Sequence, residues 1–324
     1  MVGVTAFGTT ASGHEVKKIT IAHGDLTAQV LTKGATLQSV RLAGVAHDLT
    51  LGSDNLADYE GKMRHHGALV APVVNRLSGA RAPIGGKTFQ FEANQSARHT
   101  LHFGAAGSQH KVWDIATVSD SAVTLTLTLP AGEGNMPGTR PLRATFAITD
   151  AGLQLDVTAT TDALTLFNVA NHSYWNLDGS DTWAGHSLRI LADRYLPVTA
   201  DFCPTGEIAA VAGSIFDLRQ MRAITPGQDV YDHNFCLSDK AQPLRDVLWL
   251  RGGSGVSMTI ATTEAGIQVY DGRNVARPGH GVYEGLAIEP QNWPDAPNHA
   301  GFPAIELAPG QTYHHTTRWH FARG

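Results

Sequence analysis

Acid, imidazole and guanidinium groups recur along this chain in small polar clusters, each beside an apolar run. The longest such stretch is Leu286 to Pro303, LAIEPQNWPDAPNHAGFP. Leu286, Ala287 and Ile288 read as a strand that ends in one carboxylate, Glu289, followed at once by Pro290 and then by Gln291, Asn292 and Trp293. A strand that delivers one acid into a stiff polar loop presents a base to a small ligand. A solvated acid at an ordinary strand end has the same spelling.

Five shorter clusters accompany it. Asn75 and Arg76 stand where Pro72-Val73-Val74 gives way to a Gly-rich turn. The guanidinium offers a fixed fork of donors that suits sugar hydroxyls or a carboxylate, although a surface Arg reads alike. His102 lies between Leu101 and Phe103, a setting that favours a satisfied core histidine over a catalyst. His172 is surrounded by Asn168, Asn171, Ser173, Tyr174, Trp175 and Asn176. Aromatic faces cover the C–H faces of a monosaccharide while amides pair with its hydroxyls, and a structural polar cluster is the alternative. Asp232 is an acid near the start of a strand, or simply a turn residue at its entrance. In Ile267–Gly272, period-two alternation puts Gln268 and Tyr270 on one face.

The elements that must position these groups are strands. Alternating runs occur at Ile19–Ala22, Ala28–Leu31, Val123–Leu129, Ala144–Ile148, Leu153–Val157 and Val256–Ile260. Two related segments, Thr149-Asp150-Ala151-Gly152 and Thr263-Glu264-Ala265-Gly266, read as hairpin turns. Helical pattern is scarce; Ser53–Glu60 predicts one short helix with an N-cap and acids in its first turn. The Gly- and Pro-rich Pro130–Pro141 lies between strong strands and reads as a long hairpin loop. The expected architecture is a large all-β antiparallel sandwich, one domain over residues 1–324.

Composition narrows the functions. Of 324 residues, 24 are Lys or Arg and 29 Asp or Glu, a net charge of -5 with no basic run, so neither nucleic acid nor an anionic membrane is an expected partner. The longest mostly apolar run, Ala68–Val74, is broken by Pro72 and too short to span a bilayer. No secretory signal is evident, and two cysteines, Cys203 and Cys236, suit a reducing compartment, so a cytoplasmic location is expected. Sixteen histidines invite a metal reading. The adjacent pairs His65-His66 and His314-His315 point to opposite faces of a strand, however, so no metal is expected.

Taken together, NRL at Asn75–Leu77, LHFG at Leu101–Gly104, NHSYWNL at Asn171–Leu177, YDHNF at Tyr231–Phe235, QVYDG at Gln268–Gly272 and EPQNWPDAPN at Glu289–Asn298 resemble the galactose mutarotase, or aldose 1-epimerase, family. The pieces fall in family order over most of the chain, and Leu307–Phe321 resembles the family's closing strands. The resemblance implies an antiparallel β-sandwich with an open groove, and interconversion of the α and β anomers of a free monosaccharide without a cofactor. Carried over by motif, Glu289 is the general base, His172 the general acid and His102 a supporting group. Arg76, Asp232, Asn75 and Gln268 would hold sugar hydroxyls, with Tyr270 beside them. Three departures bear on sugar preference: Phe103 where a second Gly is usual, Pro290 where Thr is commoner, and YDGR at Tyr270–Arg273 in place of YTGN.

The chemistry needs a base at the anomeric hydroxyl and an acid at the ring oxygen, each within about 2.6–3.2 Å. No nucleophile, metal or redox group is required. Two rivals use the same residues: a glycosidase with Asp232 and Glu289 as its carboxylate pair, and a sugar-binding or sensing domain without catalysis.

Overall fold

The computed structural model describes residues 2–324. It is all-β, built mainly from three antiparallel sheets. Gly3–Thr9, Glu15–His23, Leu26–Leu31 and Thr36–Leu42 form a four-stranded meander. A nine-stranded sheet runs from Asp114–Val118 at one edge, through Arg140–Thr149, Gly152–Ala159 and Tyr313–Ala322, to Arg222–Ala223 at the other. The third sheet has six strands, in the spatial order Tyr174–Trp175, Leu286–Gln291, Gly266–Tyr270, Asp232–Cys236, Arg194–Tyr195 and Ala209–Ala210.

Alternation decides which faces meet. Ile19, Ile21 and Val30 of the first sheet pack with Val123, Leu125, Phe146, Leu155 and Trp319 of the second and with Phe235, Ile267, Val269 and Ile288 of the third. Each such fully buried side chain contributes about 1.5–3 kcal/mol. Trp175 fills the centre, its ring 5.8 Å from that of Trp319 and 5.6 Å from that of Phe321.

The expected short helix is Leu56–Glu60, capped by the Asn55 side chain, which accepts from the Ala57 N–H at 3.2 Å. Pro130–Thr139 does form a hairpin loop between Ala122–Leu129 and Arg140–Thr149. Buried Arg140 closes it by donating to the carbonyls of Pro137 at 2.9 Å and Pro130 at 3.0 Å.

Two readings of local structure differ from the strand pattern. Thr149–Gly152 is a hairpin turn, with Gly152 at φ +117. Thr263–Gly266 is not: it carries the chain from the nine-stranded sheet into the six-stranded one. Gly266 is there for close approach, since a Cβ would lie 2.5 Å from Asn234 Oδ1 and 3.0 Å from Trp293 Cδ1. The second difference concerns Glu289, which lies inside its strand. The ladder continues through Pro290, opposite Ile267, to Gln291. The neighbour on the other side, Tyr174–Trp175, pairs only as far as Ala287, so Pro290 sits where that flank is free, as a proline without an N–H requires.

Candidate active site

Adjacent strands of the six-stranded sheet put the acids and amides in register. Asp232 stands opposite Tyr270, which stands opposite Ala287, which pairs with Tyr174. One step along, Asn234, Gln268 and Glu289 form a parallel row. The remaining groups arrive from short pairings at the sheet's border. Ala170–Asn171 pairs with Leu69–Val70, and Arg76–Leu77 with Thr100–Leu101. These bring His172, Arg76 and His102 to one cavity of about 240 Å³, lined also by Asn75, Asp232, Tyr270 and Glu289. Of the residues expected to form the site, Gln268 alone lies behind the lining, holding Asp232 Oδ1 through its amide at 2.7 Å.

The centre of the cavity is a carboxyl–imidazole pair. Glu289 Oε1 lies 3.6 Å from His172 Nε2, with the two side chains 2% and 6% exposed. Glu289 Oε2 and His172 Nδ1 are buried and have no hydrogen-bond partner among the described residues. Unpartnered buried polar atoms are costly, about 1–3 kcal/mol each, and mark a place kept for something other than stability. Burial disfavours charge on both groups. It pushes the Glu289 carboxyl up to about 8, Asp232 adding to the rise and Arg76 opposing it. It pulls the His172 imidazole down to about 4, against smaller upward pulls that include Asp232. The imidazole is therefore neutral at neutral pH, not the ready-made imidazolium that an unperturbed histidine offers.

His102 has a defined tautomer. Its Nδ1 accepts from the Asn75 backbone N–H at 3.2 Å, so Nε2 carries the proton and is the donor. The two residues clasp each other, because the His102 N–H donates to the Asn75 carbonyl at 2.9 Å. Both adopt left-handed backbone, φ 51 and φ 64, a costly conformation for non-glycine residues that the mutual bonding helps to hold. The Asn75 side-chain oxygen is taken by the Arg76 N–H at 2.8 Å.

Arg76 and Asp232 form a buried fork, Nη2–Oδ2 at 3.0 Å and Nη1–Oδ1 at 3.4 Å. Gln95 accepts from Arg76 Nε at 3.0 Å. Phe202, held at φ 63, lies with its ring 5.4 Å from the guanidinium and walls that side of the cavity. Both oxygens of Asp232 are thus engaged, Oδ1 by Arg76 and Gln268 and Oδ2 by Arg76.

The family model described as aldose 1-epimerase matches residues 17–320. The chain belongs to the aldose 1-epimerase family. Galactose mutarotase of Mus musculus is 34% identical, the match covering 99% of each chain. Aldose 1-epimerase of Escherichia coli K12 is 30% identical over 89% of this chain and 90% of its own. Among solved structures, a GalM/aldose epimerase homologue from C. elegans superposes with a TM-score of 0.87 at 29% identity, covering 94% of this chain and 98% of that one. Galactose 1-epimerase from Lactobacillus acidophilus gives 0.86 at 26%, covering 99% and 98%. The function is aldose 1-epimerisation, an isomerase reaction, and the fold is the galactose mutarotase-like one.

For this aldose 1-epimerase, several expectations about the site need correction. Asn168, Asn171 and Asn176 do not offer their amides to a sugar. Asn171 donates to the Gly67 carbonyl at 2.7 Å, Asn176 to those of Ser180 and Glu284, and Asn168 to that of Asn292 at 3.1 Å. They fasten the segments flanking the strands that carry Tyr174 and Glu289. Phe103, where the family usually has glycine, takes φ 57 and packs on Phe91 at 5.5 Å, away from the cavity. His65, Gln95 and Phe202 line the cavity unannounced, and Arg273, met in the sequence only as a departure from YTGN, lines it too. His65 had its signal in the His65-His66 pair, read only as a failed metal motif; Phe202 and Gln95 had none.

Proposed function

We propose that Glu289 takes the proton from the anomeric hydroxyl of a pyranose while His172 gives one to the ring oxygen. The observation that carries this is the isolated Glu289–His172 pair, facing a cavity of about 240 Å³ and holding a single proton between them at neutral pH. One shared proton has two placements. Carboxylate with imidazolium matches the closed sugar; carboxyl with neutral imidazole matches the open aldehyde. Ring opening moves the pair from the first to the second while the proton of O1 goes to Glu289 and that of His172 to the ring oxygen. Rotation about C1–C2 and the reverse transfers close the other anomer and restore the pair. Burial favours the uncharged placement, so the bound sugar's hydroxyls and the nearby Arg76 guanidinium are what offset the desolvation of the charged one.

The Nε2–H of neutral His102 donates to sugar oxygen, and the Arg76–Asp232 fork with Asn75 binds hydroxyls on the opposite side. Tyr270, its hydroxyl accepting the Asn274 N–H at 3.0 Å, and Tyr174 cover a C–H face. The substrate is a free aldose of hexose size, and galactose, named in the relatives' titles, is the first sugar to assay. We also place the reaction in the cytoplasm, a reading supported by the buried free thiols of Cys203 and Cys236.

The test is anomer exchange followed by NMR. Glu289→Gln and His172→Asn are each expected to lower the catalysed rate by about 10²-fold or more while preserving the far-UV spectrum of the parent. Near-parental exchange in either variant overturns the assignment. Binding of aldoses by the parent with no catalysed exchange would make it a sugar receptor instead.

A further inference from the structure

We propose that this enzyme takes aldoses bearing an anionic group on C6, a carboxylate or a phosphate ester, with the anion seated in a cationic trough that opens from the sugar cavity past His65. The inference rests on the base and acid assignment above and extends it to the class of substrate.

The pyranose ring oxygen is bonded to C1 and C5. With Glu289 at O1 and His172 at the ring oxygen, C5 and its exocyclic C6 lie on the side of His172 away from Glu289. His65 packs beside His172, its ring stacked 5.8 Å from His172 and 4.7 Å from His102, and is the group we assign to that side. His65 lines both the sugar cavity and a neighbouring trough of about 920 Å³, so it stands in the throat between them. Its side chain makes no hydrogen bond among the described residues, and Nδ1 is buried without a partner. Burial, with His172 and Arg64 next, holds this imidazole well below its ordinary value, so it is a neutral group able to pair with a sugar oxygen.

The trough carries two full positive charges, Lys62 and Arg64, both exposed. Lys62 and Arg64 have no ion-pair partner among the described residues, whereas Lys111 is matched by Glu133 and Arg277 by Glu284. His110, also in the trough, is kept neutral at about 4 by burial and by Lys33 and Arg64. The one carboxylate there, Glu92, is engaged through Oε2 by the Ala105 N–H at 2.7 Å. The net positive charge thus faces an opening that leads to C6.

The experiment compares kcat/KM for anomer exchange of galactose and glucose with galacturonate, glucuronate and glucose 6-phosphate, after subtraction of the uncatalysed rate. Parent, Arg64→Gln and Lys62→Gln proteins are assayed at low and high ionic strength, with Tm recorded for each. The expected result is a preference for an acidic aldose over its neutral counterpart. That preference falls about tenfold in Arg64→Gln, and likewise between roughly 0.02 and 0.5 M salt. The carboxylate and phosphate substrates distinguish the two sources of the anion. Efficient exchange of neutral aldoses with no preference for acidic ones, or a preference indifferent to both variants and to salt, overturns the proposal and leaves the base and acid assignment standing. Failure of every aldose to exchange overturns that assignment itself.

Discussion

Glu289 and His172 each give up their ordinary proton affinity to burial, in opposite directions. On the proposed assignment the reaction needs one proton on the pair, so its pH dependence follows from the pair as a unit. Activity falls when the pH drops through about 4, where the imidazole gains a proton while the carboxyl keeps its own. It falls again as the pH rises through about 8, where the last proton leaves. Initial rates of anomer exchange over both limbs check this; a rate that stays level well above the upper value would show that the carboxyl is not confined as described. Arg76 and Asp232 hold each other at 3.0 Å and both line the cavity. Phe103 and Pro290, two of the departures from the family pattern, do not line the cavity, whereas Arg273, the third, does. Arg273 is tied to Asp271 through Nε at 2.9 Å and Nη2 at 2.7 Å, so that change reshapes the wall as a rigid pair.

The strand Gly266–Tyr270 carries the acids' alignment, because it lies between Asp232–Cys236 and Leu286–Gln291. Its first residue has no room for a side chain: a Cβ would meet Asn234 and Trp293. Gly266→Ala is therefore expected to destabilise the protein by about 1–3 kcal/mol by overpacking. It should also lower kcat through misalignment of the Gln268–Asp232 and Glu289 row. Denaturant unfolding and anomer exchange on the same preparation check both, and an alanine variant with parental stability would mean that Asn234 simply moves aside. The loop after Glu289 is a scaffold. Trp293 Nε1 donates to the Ala265 carbonyl at 3.0 Å, and buried Asp295 accepts from the Ser78 N–H at 2.9 Å and the Asn298 amide at 2.6 Å. It fixes the strand end against the neighbouring loops without lining the cavity.

Across the whole molecule, buried titratable groups set how stability varies with pH. Glu264, held by the Tyr313 hydroxyl at 3.4 Å and lying 3.6 Å from His315, is pushed by burial up to about 8, as Glu289 is. Folded carboxyls of this kind keep a proton that the unfolded chain has released above 4.5, so stability declines as pH rises from about 4.5 to about 8. His172 and His315, lowered to about 4 by burial, act oppositely: their contribution is complete above 6.5 and is lost as pH falls toward 4. Stability should therefore peak between these limbs. Glu264→Gln should raise Tm relative to the parent at pH 8 and change it little near pH 5; equal Tm differences at both would contradict the linkage. The alternation of apolar and polar residues determined that this chain is all-β, and six short motifs in order determined its family and most of its cavity, because period-two burial and local polar spelling are written residue by residue. Which amides face a sugar, that Thr263–Gly266 joins two sheets, and that His65 and Phe202 enter the cavity were decided only by tertiary structure. Each depends on a partner more than a dozen residues away in the chain, and on a burial that inverts the proton affinities read from isolated side chains.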